Sequence, residues 1–115
     1  MLQPDDHKTV RFVCNSLGRT LTAALSGTPN RLDVDKWLMG GRGHKRPTDD
    51  QLNRLRFARE MFEKVSAAED DDTTRNWFMG ANVGDNEDTP VTAIREDRFE
   101  EVRVSASRII NDEWQ

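Results

Sequence analysis

The sequence predicts an all-α fold, and three observations carry that prediction. Apolar residues recur at three- and four-residue steps, few segments alternate with period two, and β-branched residues never cluster. With 115 residues, the chain has room for one compact unit or two small halves sharing a core. Apolar residues make up 35% and charged residues 33%, which is lean, but 3 Trp and 5 Phe supply the bulk that a disordered chain lacks.

A first helix is expected from Lys8 to Leu17, with Val10, Val13 or Cys14, and Leu17 on one side. A second, Arg19 to Ser26, places Leu21, Ala24 and Leu25 together, and Gly27-Thr28-Pro29-Asn30 then forces a turn. A third, Leu32 to Met39, has Val34, Trp37 and Leu38 as its apolar positions and ends at Gly40-Gly41. Arg42-Gly43-His44-Lys45-Arg46-Pro47 reads as a basic loop. The clearest helix starts at Thr48, which forms a capping box with Gln51, while Asp49 and Asp50 suit the positive end of the helix dipole. Its apolar face is Leu52, Leu55, Ala58, Phe62 and Val65, and it runs to about Ala68. Glu69-Asp70-Asp71-Asp72 is a linker or a helix start. A short helix from Thr74 to Gly80 carries Trp77 and Phe78, and Ala81 to Asp88 is a polar loop. Thr89-Pro90 starts a helix, Thr as cap and Pro at the first helical position. The last helix has Phe99, Val102, Ala106, Ile109 and Ile110 at helical spacing and ends near Trp114. No internal repeat is visible.

Several function classes fall away at this stage. The longest apolar runs, such as Ala23 to Leu25 and Trp77 to Met79, have three residues, far short of the roughly 20 of a membrane span. The opening Met-Leu-Gln-Pro-Asp-Asp lacks the basic flank and apolar stretch of a signal peptide. Cys14, the one cysteine, has no partner for a disulfide or a zinc site, and a reducing cytoplasm is the expected location. His7 and His44 are the only histidines, and no Ser-His-Asp, Cys-His or metal-spaced cluster exists. Gly40-Gly41-Arg42-Gly43 lacks the spacing and the Lys-Ser/Thr of a phosphate loop. Adjacent Glu100 and Glu101 point different ways on a helix, a poor acid/base pair. We expect no enzymatic activity and no cofactor.

Charge is divided unevenly. Residues 1–66 carry 12 Lys+Arg against 8 Asp+Glu, a net +4, whereas residues 67–115 carry 5 against 13, a net −8. A basic front and an acidic back suggest partners of opposite character. In the front, two short helices joined by a tight turn, the first rich in small residues, describe a helix-turn-helix unit. Ala23 and Ala24 let the next helix cross closely, and Arg31 to Met39 is the recognition helix. Its polar positions Asn30, Arg31, Asp33, Asp35 and Lys36 would meet the major groove, with Arg42, His44, Lys45 and Arg46 against backbone phosphates at its exit. Asp33 and Asp35 oppose this reading, because DNA repels carboxylates that do not accept from a cytosine amine.

The spacing Leu17-Gly18 … Leu25-Ser26-Gly27 … Val34-x-x-Trp37-x-x-Gly40 … Pro47 resembles the Xre/Cro-type helix-turn-helix. With Asn53-Arg54-Leu55-Arg56-Phe57-Ala58, Trp77-Phe78-Met79-Gly80-Ala81-Asn82, Thr89-Pro90, Ile94-Arg95 and Phe99-Glu100-Glu101-Val102, the chain resembles the MbcA/ParS/Xre-type antitoxins from about residue 10 to 112. The resemblance implies an Xre-like helix-turn-helix domain over residues 1–68 and a small helical toxin-binding domain over 69–115. It implies that the front half binds operator DNA and represses its own operon. The back half would bind and obstruct a RES-type toxin, a class that attacks NAD or transfers ADP-ribose from it. Carried onto this chain, Trp77, Phe78, Asn82, Ile94, Arg95, Arg108, Asp112 and Trp114 are the toxin-binding candidates, with Pro90, Phe99 and Val102 building the same module and Arg108 to Gln115 a candidate plug. A homodimer or a toxin–antitoxin hetero-oligomer is the implied assembly. The chain departs from the family at Asp97, where a glycine is usual, and at the acidic stretch Gly84 to Asp88, where a leucine and a small turn are usual.

For Trp77, Phe99 and Val102 a place in the core outweighs direct contact, whereas Trp114, beyond the last helical-face residue, is the better interface anchor. An acidic surface would suit a basic toxin cleft. Two other readings stay open. One is a stand-alone phage, prophage or bacterial repressor whose C-terminal region only dimerises. The other is a toxin-neutralising protein whose front half has lost DNA binding.

Overall fold

The computed structural model describes residues 4–40, 46–84 and 88–111. Among these the chain forms α1 (Pro4–Leu17), α2 (Arg19–Ser26), α3 (Arg31–Met39), α4 (Asp49–Ala68), α5 (Asp71–Gly80), α6 (Pro90–Arg95) and α7 (Phe99–Ile110). The described residues contain no strand, only an isolated antiparallel bridge between Val83 and Asp88.

Side-chain caps set most of the helix starts. Gln51 N–H donates to Thr48 Oγ1 at 3.2 Å, and Thr48 N–H donates to Gln51 Oε1 at 2.8 Å, the reciprocal pair expected of a capping box. Asn30, Asp70 and Thr89 each accept from the backbone N–H two or three residues on, at 2.9, 2.6 and 3.3 Å. The acidic run is therefore a helix start: Asp70 is the cap, and Asp71 and Asp72 lie in the first turn, where the dipole offsets their mutual repulsion. That places the start of α5 three residues before the expected Thr74. Helix α1 likewise begins at Pro4 rather than Lys8, with Asp5 and Asp6 in its first turn.

Thr89-Pro90 starts a helix of its own, separate from the last one. Helix α6 stops after one and a half turns because Asp97 adopts a left-handed conformation, φ 63°. Asp97 N–H bonds to Ile94 O at 3.0 Å and Arg98 N–H to Ala93 O at 2.9 Å, the paired return of a Schellman motif. Glycine usually marks that position. Here an aspartate takes it.

One hydrophobic core receives residues from every helix. Helix α4 is its axis. Leu52, Leu55, Ala58, Phe62 and Val65 are buried as the periodicity predicts, and Phe57 and Met61 are buried as well, giving α4 a second apolar stripe. The Phe57 ring stacks on Phe99 of α7 at 4.3 Å between centroids. Phe62 meets Phe12 of α1 edge-on at 5.9 Å and Phe78 of α5 at 6.0 Å, and Trp77 stands edge-on to Phe78 at 4.8 Å. Residues of 1–68 and of 69–115 thus share this core, with α2 packed on α6 and α1 on α5.

The carboxyl ends of the first three helices are closed from a distance. Neither α1 nor α2 has a basic residue in its last turn. Arg75 of α5 donates to Ser16 O at the end of α1 (3.3 Å), and Arg54 of α4 donates to Ser26 O at the end of α2 (2.9 Å). His7 of α1 donates from Nε2 to Leu38 O near the end of α3 at 2.8 Å. Each donor satisfies a carbonyl that its own helix leaves free and brings positive or polarised N–H groups to a negative helix end. Gly27, with φ 92°, leaves room for this: a Cβ there would lie 2.6 Å from Arg54 Nη1.

Candidate functional site

Helices α2 and α3 are joined by Gly27 to Asn30, and both Gly27 and Thr28 N–H return to Ala23 O, at 3.1 and 3.2 Å. Val34 and fully buried Trp37 anchor α3, so its outward stripe is Arg31, Leu32, Asp35, Lys36 and Met39. Arg31 and Lys36, both expected to meet DNA, are exposed there. Leu32 and Met39, which sequence reasoning did not single out, are 57% and 67% exposed; an apolar side chain beside two cations suits a groove that offers thymine methyls. Asn30 is exposed, but its side-chain oxygen accepts from Leu32 N–H, so it serves first as the cap of α3.

The two aspartates that argued against DNA are both engaged. Asp35 takes a two-pronged bond from Arg19 of α2, at 2.7 and 2.8 Å. The same carboxylate raises the Arg19 pKa above its ordinary value, chiefly through this hydrogen bond. Asp33 accepts from Thr28 Oγ1 at 2.5 Å, which ties α3 to the turn before it. Behind the motif, burial raises the Cys14 thiol above its ordinary value while a hydrogen bond with Thr22 opposes the shift, so Cys14 is a protonated packing residue at neutral pH. Arg46 is exposed just before α4. Arg42, His44 and Lys45 lie outside the described residues.

In the back half, three residues proposed for partner contact are core. Phe78 and Ile94 have no exposed surface, and Trp77 is 5% exposed, with its indole Nε1–H donated to Ser105 Oγ of α7 at 3.0 Å. They hold α5, α6 and α7 together, and large aromatics on a short helix are placed there by burial. Asn82, Arg95 and Arg108 are exposed; Asp112 and Trp114 lie outside the described residues. A groove of about 410 Å³ runs between α5 and α7, with the edge of Trp77, Ala81 and Ile109 as its apolar lining and Asn76, Asn82 and Arg108 at its rim. A second hollow of about 240 Å³ continues it past Asn82 and Arg108 to Val83 and Val104. Asn82 and Arg108, far apart in sequence, therefore meet on one surface beside Trp77; Arg95, on α6, lines neither hollow. Nearby, Arg98 gathers Asp88, Glu96 (2.9 Å) and Glu101 (3.3 Å), which fixes the loop before α6 against the start of α7.

No family model, curated protein or solved structure matches the chain. Among the described residues no helix is long and apolar enough to cross a membrane, and no group of three or more His, Cys, Asp or Glu side chains is arranged to hold a metal ion.

Proposed function

We propose that this protein is an antitoxin of the Xre type, which neutralises a RES-type toxin through its back half and represses its own operon through the front half. The observation that carries the reading is the separation of two exposed surfaces on one chain, in the order that the sequence resemblance implies. One is the cationic stripe of α3 beside α2. The other is the groove between α5 and α7. Two details add support. Of the acids on α3, Asp35 is paired with Arg19, which lowers the electrostatic cost of approaching phosphates. Asp97, where the family has glycine, takes a backbone conformation that glycine adopts freely.

Co-purification with the product of a neighbouring RES-type gene tests the first half of the proposal, and the absence of a complex at micromolar concentration would overturn it. For the second half, Lys36→Ala and Arg46→Ala should each weaken operator binding and reduce its salt slope by about one. An unchanged affinity and slope would remove both side chains from the interface. The alternative, a repressor that dimerises through its back half, draws on the exposed Val104 and Ile110 of α7. Sedimentation of the chain alone tests it: a monomer would overturn the repressor reading, whereas a dimer fits both, and toxin co-purification then decides.

A further inference from the structure

We propose that the groove between α5 and α7 seats a partner segment that presents one large apolar side chain followed closely by a carboxylate; the identification of that partner as the toxin rests on the antitoxin reading. The apolar part follows from the lining. Trp77, Ala81 and Ile109 form a hollow of about 410 Å³, and the Trp77–Ser105 hydrogen bond holds its two walls together before anything binds. A pre-formed hollow with an aromatic floor is the usual seat of an interface anchor, because filling it costs little reordering.

The carboxylate follows from charge. Arg108 borders both hollows and makes no ion pair among the described residues, whereas Arg75 of α5, Arg103 of α7 and Arg98 just before α7 are all paired. The acid that lines the second hollow with it, Glu101, is bound to Arg98. A guanidinium without an ion pair among the described residues, at the rim of an apolar hollow, favours an acidic partner, and a fork of N–H groups suits a carboxylate. Asn76 and Asn82, on either side, have amides that can bond to the backbone of an inserted segment.

Calorimetric titration of the full chain with the RES-type protein is the first test. Arg108→Glu should weaken binding at least tenfold, Ala81→Trp, which fills the hollow, should do so as well, and Arg11→Glu on α1 should change it less than twofold. Circular dichroism melting of each variant guards against loss of fold. Equal binding by all variants would overturn the groove assignment and leave the antitoxin reading standing. Failure of the unaltered chain to bind would overturn that reading. The groove is then judged by panning a displayed library of twelve-residue peptides on the full chain. Enrichment of apolar–acidic sequences that Ala81→Trp no longer captures supports it, and absence of such enrichment overturns it. Self-association lost in Ala81→Trp would also overturn it, in favour of a second copy in the groove.

Discussion

Asp97 carries two separable roles in one side chain. Its backbone sits at φ 63°, and its carboxylate binds Arg54 at 2.9 and 3.1 Å. Asparagine tolerates the left-handed region and lacks the charge, whereas alanine lacks both properties. Asp97→Ala should therefore melt below Asp97→Asn, by a difference worth about 1 kcal/mol; equal melting would mean that only the ion pair matters. Asp70 gives a pH dependence. A hydrogen bond from the Thr73 side chain, then one from its backbone N–H, holds the Asp70 carboxyl below its ordinary value of 3.8. The folded form thus favours the ionised group, so its contribution is complete above that value and is lost as pH falls through the depressed one. The melting difference between the unaltered chain and Asp70→Ala should be constant near neutrality and shrink below about pH 4. At this scale the sequence was legible wherever a residue type has one common use. Thr48 and Thr89 are read as helix starters; Asn30, read from sequence as a turn residue and DNA contact, caps α3 as well. Asp97 was legible only through the resemblance, which puts a glycine at that position; the residue type alone does not mark a left-handed turn.

Helix α4 shows what periodicity reveals and what it leaves out. The stripe Leu52, Leu55, Ala58, Phe62 and Val65 was plain and is buried as predicted, with Phe62 meeting both Phe12 of α1 and Phe78 of α5. Phe57 and Met61, four residues apart, form another stripe, which signals a helix buried on two sides. That signal was present but competes with the tolerance of surfaces for scattered apolar residues. Helix α5 depends on Phe78, which lies under Phe62 and against Trp77. Phe78→Ala should cost about 3–5 kcal/mol, read from denaturant unfolding, because a short helix cannot close over the cavity. The outward stripe of α3 was legible in its cations, whereas its exposed Leu32 and Met39 were not, since apolar type alone assigns them inward.

For the molecule as a whole, the shared core predicts one unfolding transition. Far-ultraviolet circular dichroism and tryptophan fluorescence should give coincident melting curves, and Phe78→Ala should shift both together; two resolved steps would contradict a common core. The division of charge at residues 66 and 67 was visible in the sequence, but the interleaving of the two segments was not, because it depends on contacts such as α2 with α6 that no local pattern records. Arg54 condenses this into one side chain: it rises from α4, closes the end of α2 at Ser26 and grips the turn at Asp97. The two segments are consequently not interchangeable cassettes. A chimera that cut at 68/69 and borrowed its second segment from another protein would inherit a guanidinium without its turn and a Phe57 without its stacking ring. Any lineage that replaced the second segment by recombination would have to keep an acid at the turn for Arg54 and a ring for Phe57.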